Sequence, residues 1–184
     1  MKKHTLYILV LLIIFSGCKK TSSVSNTAVA DNSFTHGYAL FYGDHYNYID
    51  ITENVVGLSL FSKFLSTDSA GYYVGNGTQL VVTDIFTSPS DTLLPQGGYT
   101  ANDNHSPMTF LKSKSYEGNR VGAYIVIVGA TGYTTEMLTD GAFELQYKRD
   151  TVIITFDFKR ENGTSYQPVY KGLLPMYDAR PNKK

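Results

Sequence analysis

The stretch that most narrows the fold is GAFELQYKRDTVIITFDFKRENGTSYQPVYKGLL, residues 141–174. Phe143, Leu145 and Tyr147 alternate with polar residues, and Lys148-Arg149-Asp150 turns the chain. Val152, Ile154, Phe156 and Phe158 then supply a second apolar face, with Thr155, Asp157 and Lys159 pointing the other way. Successive strand side chains point to opposite faces, so a period of two with one polar face specifies a strand with one wet side. Asn162-Gly163 predicts a tight hairpin, because both residues tolerate positive φ. Residues 166–174 return as the third strand of a meander, and Pro168, lacking an N–H, predicts an edge or a bulge there.

The same grammar extends through the chain. Residues 37–43 and 46–52 read as a hairpin about Asp44-His45, with Tyr46 and Tyr48 on the wet face of the second strand and Tyr38 and Tyr42 on its neighbour. Residues 78–86, 108–111 and 120–128 are rich in β-branched and aromatic residues, with Gly, Pro, Asn or Asp between them. Residues 53–69 fit a helical stripe through Leu58, Phe61, Phe64 and Leu65 and a strand through Leu58 and Leu60 almost equally, so periodicity leaves them open. About 8 to 10 short strands without a long helix predict an all-β fold over residues 34–184. The expected architecture is a single antiparallel sandwich, jelly-roll-like, with a calycin-like barrel as the alternative.

Upstream the chemistry changes. Lys2 and Lys3 precede an apolar run of ten residues from Leu6 to Phe15, too short to span a hydrocarbon core of about 30 Å. Residues 1–17 therefore read as a secretory signal. Cys18, the only cysteine, follows Ser16 and Gly17. The segment FSGC resembles the lipobox of bacterial lipoproteins, which implies cleavage before Cys18 and acylation of its sulfur. Several acyl chains on one residue hold a soluble domain durably, each buried methylene contributing about 0.8 kcal/mol. The thiol would be consumed, leaving no disulfide and no cysteine chemistry. Residues 18–33, rich in Ser, Thr, Asn and Ala, read as the acylated residue and a flexible tether spanning roughly 20 Å. The expected address is the cell envelope, at the outer membrane, on either face.

The order FYGDHYNYIDI, GNGTQLVVTDIF, LPQGGYTA, DGAFELQY, TVIITFDF, ENGTSY and VYKGLL resembles a group of uncharacterised Bacteroidota lipoproteins with all-β domains. The resemblance implies a fold class and an envelope address, and it carries over no catalytic residue.

Without residues 1–17 the chain holds 14 basic and 16 acidic residues. No basic run exists to neutralise a phosphate backbone, so nucleic acid is not an expected partner. His36, His45 and His105 are scattered and lack metal-ligand spacing; solvated loop residues are the simpler reading. Asp103 lies among oxygen-bearing side chains in TANDNHSP, but the spacing departs from a calcium loop, and a polar turn accounts for it. No GxSxG elbow is present. Carboxylate pairs such as Asp84 with Asp157 or Glu144 would be needed for glycoside hydrolysis, yet alternation puts most acids on outward faces.

The chain has 15 tyrosines and no tryptophan. Tyrosine joins a flat apolar body to a hydroxyl, which suits sugar faces, peptides and protein interfaces. Tyr38, Tyr42, Tyr46 and Tyr48 form an expected cross-strand ladder, and Tyr72-Tyr73 a loop-tip pair; either can stiffen a sheet or bind a ligand. The expected function is therefore a non-catalytic binding or structural role toward a glycan, peptide or envelope protein, without cofactor or metal. A small barrel enclosing an apolar ligand is the alternative, and a lipid-anchored hydrolase ranks below it.

Overall fold

Strand pairing dominates the structure, a computed structural model describing residues 33–116 and 119–181. Residues 1–17, read from sequence as a signal, Cys18, and residues 19–32, read as a tether, lie outside the described residues; Ser33, assigned to the tether, already belongs to a strand. The chain opens with β1 (Ser33–Phe34), β2 (His36–Gly43) and β3 (Asn54–Phe61). A short hairpin, β4 (Leu65–Thr67) and β5 (Tyr73–Gly75), precedes the long β6 (Gly77–Thr87). Then come β7 (Gly97–Ala101), β8 (Thr109–Phe110), β9 (Lys114–Tyr116), β10 (Asn119–Val121) and β11 (Ala123–Gly129). The last five are β12 (Gly132–Lys148), β13 (Thr151–Arg160), β14 (Ser165–Tyr166), β15 (Val169–Gly172) and β16 (Met176–Asp178).

The principal pairing follows chain order. β2 pairs with β3, β3 with β6, β6 with β11, β11 with β12, β12 with β13 and β13 with β15, each antiparallel. β1 runs into β2 with only Thr35 between them, and it pairs in parallel with β15, Ser33 opposite Val169 and Phe34 opposite Tyr170. Parity explains this parallel contact. Counting β1 and β2 as one stave gives seven, and in an up-and-down ring of odd number the first and last staves run the same way. β16 prolongs the last stave along β2, again in parallel, Met176 opposite Ala39. The fold is thus all-β, and of the two expected architectures the closed sheet is that of the barrel.

Two staves change partner along their length. β12 pairs with β11 up to Leu138, shifts register between Leu138 and Asp140, and from Ala142 to Leu145 pairs with β7. β6 likewise pairs with β11 up to Val82 and with β8 at Ile85 and Phe86. β7 and β8 pair in parallel, closing a five-strand ring of β6, β11, β12, β7 and β8 within the larger sheet. Gly141 permits the switch in β12 by taking a φ of +142°.

Inward residues from every stave meet in one core, among them Leu58, Leu80, Ile125, Leu145, Ile154 and Tyr170. An aromatic stack crosses it. Tyr99 lies on Phe143 at 4.5 Å, Phe143 contacts Phe110 and Phe156 at 5.6 Å each, and Phe158 meets Phe110 edge-on at 5.9 Å. All five rings belong to the one core cluster. The Tyr99 hydroxyl, carried into the core, donates to the Pro95 carbonyl at 2.8 Å.

A second layer covers part of the outer surface. Leu65 and Tyr73 of the β4–β5 hairpin pack with Phe61, Val126 and Val128, while Tyr46 and Ile51 pack with Val55, Phe86 and Leu111. β3 and β6 are therefore buried on both faces.

This settles the core of residues 53–69 as strand. Val56, Leu58 and Leu60 face the core, Phe61 faces the outer layer, and Phe64, needed for a helical stripe, is exposed. Residues 46–52, expected as a strand, are not one. Asn47–Ile49 is a 3-10 turn, and Asp50 follows in the left-handed region at φ 62°. β2 instead takes β3 as its partner, because β3 brings apolar residues for both faces whereas residues 46–52 have them for one. In the C-terminal meander the expected turns hold: Arg149 takes φ 55° between β12 and β13, and Gly163 takes φ 80° after β13. Pro168 makes no bulge. Phe158 faces Tyr166 and Thr155 faces Val169, so register runs unbroken through it. Its carbonyl accepts the Phe156 N–H at 3.1 Å, and the ladder lacks only the bond that proline has no hydrogen to make. Just before it, β14 pairs with β13 alone among the described residues, the edge that the proline predicts.

Candidate functional site

The loop after β2 builds one wall of an open cleft at the rim of the barrel. Gly43 ends β2 with φ 62°, and the Arg180 side chain packs so close over it that a Cβ there would stand 2.9 Å from Arg180 Cδ. Asp44 then accepts from Asn47 Nδ2 at 3.0 Å, which holds the 3-10 turn. Tyr46 points back onto the barrel, donating its hydroxyl to Asp84 Oδ1 at 2.6 Å; the Thr83 hydroxyl donates to the other oxygen at 2.6 Å. Thr83 and Asp84 together oppose Gly57, since Val56 faces Ile85 and Leu58 faces Val82. That extra residue is a β-bulge, and Asp84 adopts a φ of 53° within it. Burial, and then the hydrogen bond to Asp84, hold the Tyr46 hydroxyl well above the usual tyrosine range.

The opposite wall is the loop after β6. Asn54, buried at the start of β3, aims Nδ2 at the carbonyls of Asp91, Pro89 and Ser88 at 2.9, 3.1 and 3.3 Å. Asp91 Oδ2 accepts the Ser88 N–H at 3.0 Å and completes the clasp. Between the walls lies a cleft of about 1050 Å³. It presents the rings of Phe41, Tyr42 and His45 and the acids Asp44, Asp91 and Asp178; among the described residues Arg180 is the cation that faces them.

Arg180 is already committed. Its Nε donates to Asp178 Oδ1 at 2.9 Å, Nη2 donates to the second oxygen, and the guanidinium lies 5.3 Å from the Phe41 ring centre. Bonds from the Arg180 side chain and backbone N–H lower the Asp178 pKa to about 2. A carboxyl depressed from 3.8 stabilises the paired arrangement fully above about pH 4, and that contribution is lost as pH falls through about 2. Carboxyl-carbon NMR is expected to show Asp178 titrating near 2, and Arg180→Gln to return it toward 3.8; an unchanged titration in the variant refutes the pairing.

The six tyrosines singled out from sequence do not make one platform. Tyr42 lines the cleft while Tyr46 turns back onto the barrel, and His45 lies between them at 5.8 and 4.9 Å between ring centres. Tyr42 lies across Gly57, where a Cβ would stand 3.3 Å from its ring. Tyr38 sits farther along β2 against Phe61 and Tyr177, and Tyr73 belongs to the covering hairpin, donating to Gln79 Oε1 at 2.6 Å. Burial pushes the Tyr42 and Tyr73 hydroxyls up. Tyr48 and Tyr72 project into solvent, each 73% exposed. Tyr124, Tyr133 and Tyr177, not singled out from sequence, share these surfaces. Arg180, Asp178 and the 88–93 loop were missed too, because nothing local marks a residue that reaches the site through tertiary closure.

The remaining candidates stay apart. His36 stacks on Phe61 at 5.5 Å, and His105 meets Phe86 edge-on at 5.0 Å. Among the described residues no three of His, Cys, Asp and Glu gather as a metal site. Asp103 Oδ1 accepts the Lys112 N–H at 3.2 Å and serves as a loop clasp. Glu144 and Asp157 line a shallow hollow on the outer face of β12 and β13, one step diagonal in register, whereas Asp84 sits on β6 beside Tyr46. The pairs of Asp84 with Asp157 or Glu144 that glycoside hydrolysis would need are therefore not brought together. No protein-family model, curated protein or solved structure matches the chain.

Proposed function

We propose that the protein is a lipid-anchored component of a bacterial cell envelope, tethered through acylated Cys18, that binds a ligand without catalysis in the rim cleft. The resemblance of its N-terminus to a lipobox and of its strand pattern to Bacteroidota lipoproteins supports the address. The observation that carries the binding role is the cleft itself: the Phe41 and Tyr42 side chains line it beside three carboxylates, with Arg180 neutralised by Asp178. Carboxylates accept hydrogen bonds from hydroxyls and repel anions, while aromatic faces stack on the C–H faces of sugars. A neutral glycan fits that combination better than an acidic glycan or a phosphorylated ligand.

The test is a glycan and peptide array probed with the detergent-solubilised protein. Neutral glycans are expected among the binders, and Tyr42→Ala with Asp91→Asn is expected to weaken them about tenfold, the effect of losing roughly 1.4 kcal/mol. Binding confined to acidic ligands, or indifferent to both substitutions, overturns the reading.

A further inference from the structure

Register locates both rims of the barrel. His36 faces Phe61, Phe61 faces Gln79, Gly77 faces Val128, and Gly129 faces Gly132, so these residues mark one rim. Ser33, opposite Val169, belongs to it. The cleft lies at the other, where Gly43 faces Val55 and Asn54 faces Thr87. The chain thus enters the domain at the end opposite the cleft.

The entry rim and its flank carry exposed apolar side chains. Phe64 is 75% exposed, Tyr133 64% and Val169 43%; Tyr72 and Val74 of the β4–β5 hairpin are exposed beside them. Lys63 Nζ sits 5.2 Å from the Phe64 ring centre, a cation at the edge of an aromatic surface. Phenyl and phenol rings with an adjacent lysine match a bilayer interface: ring bodies enter the acyl boundary while hydroxyls and ammonium stay among headgroups.

We infer that this rim docks on the phospholipid surface, so that the cleft points away from the membrane. The inference rests on the anchor at Cys18 proposed above. Only residues 19–32 separate Cys18 from Ser33, and a chain of that many residues reaches at most about 50 Å even fully extended. A surface held that close meets the bilayer at an effective concentration on the order of millimolar, enough for a contact too weak to hold an untethered domain. The cleft rim also exposes Tyr48, Ile49 and Leu93, but the linker enters at the opposite end and keeps the Phe64 rim nearest the lipid.

The chain has no tryptophan, so one introduced indole is an unambiguous reporter. The full acylated protein is reconstituted, as Phe64→Trp and separately as Leu93→Trp, in phosphatidylethanolamine/phosphatidylglycerol vesicles with bromines at acyl carbons 6 and 7. The indole of the Phe64→Trp protein is expected to emit at shorter wavelength and to be quenched at least about twofold more than that of the Leu93→Trp protein. Equal quenching of the two, or stronger quenching of the Leu93→Trp protein, overturns the docking face. Intact mass of the same samples reads the anchor independently. If Cys18 proves unmodified, the anchor reading fails alone, and the emission of the Phe64→Trp protein with the same vesicles added at millimolar lipid still decides the docking.

Discussion

Phe143→Ala is expected to lower the unfolding free energy by about 3–5 kcal/mol, the range for truncating a fully packed aromatic side chain. Phe143 is the junction of the core stack, touching Tyr99 from β7, Phe110 from β8 and Phe156 from β13. Its removal leaves three rings facing a void that staves fixed by hydrogen bonds on both sides cannot collapse to fill. Small domains have only about 5–15 kcal/mol of net stability, so a loss of this size removes a large share of it. Urea denaturation followed by tyrosine fluorescence gives the number. A loss below about 1 kcal/mol would mean that the core is loosely packed and that the aromatic stack does not organise it.

Gly141→Ala tests the partner switch in β12 and is expected to cost about 2–4 kcal/mol, by the combined weight of a disfavoured backbone conformation and overpacking. A Cβ at Gly141 would stand 2.3 Å from the Asp157 carbonyl oxygen and 2.7 Å from Phe158 Cα, both main-chain atoms of β13 that no rotamer change can move. The φ of +142° is strained for any L side chain. Gly163→Ala is the comparison: φ is +80°, but nothing lies within 4 Å of its Cβ position. It isolates the backbone contribution, expected near 1 kcal/mol. Equal losses at the two positions, read from thermal melts, would show that the close approach of β12 to β13 contributes nothing.

Legibility followed solvent. β12 and β13 have one wet face, and from Ala142 onward their inward Phe143, Leu145, Ile154, Phe156 and Phe158 alternate with exposed Glu144, Gln146, Thr155, Asp157 and Lys159. There the sequence pattern, the turn at Arg149 and the turn at Gly163 could be read directly. β3 is covered on its outer side by the β4–β5 hairpin and the loop bearing Tyr46 and Ile51. With both faces buried, polar residues no longer mark alternate positions, and residues 53–69 looked like helix as much as strand. The opposite error arose at residues 46–52. Tyr46 and Ile51 both turn inward onto Val55 and Phe86, and chance alternation around them imitated a strand.

The candidate cleft divides in the same way. Tyr42 was visible as an aromatic residue near a turn. Arg180 and Asp178 were not, because they stand more than 130 positions away and arrive only when β16 lies down beside β2. Composition and alternation by themselves determined an all-β chain, an apolar inward face for the C-terminal meander and its turns, because those depend on φ preferences and on the local contrast between water and oil. Ring closure, the parallel first-to-last contact, the bulge at Asp84 and the assembly of the cleft were decided only in the tertiary structure. Each depends on which distant strand supplies the missing hydrogen-bond partners, and backbone N–H and C=O groups are the same in every residue but proline, so side-chain order cannot encode that choice locally.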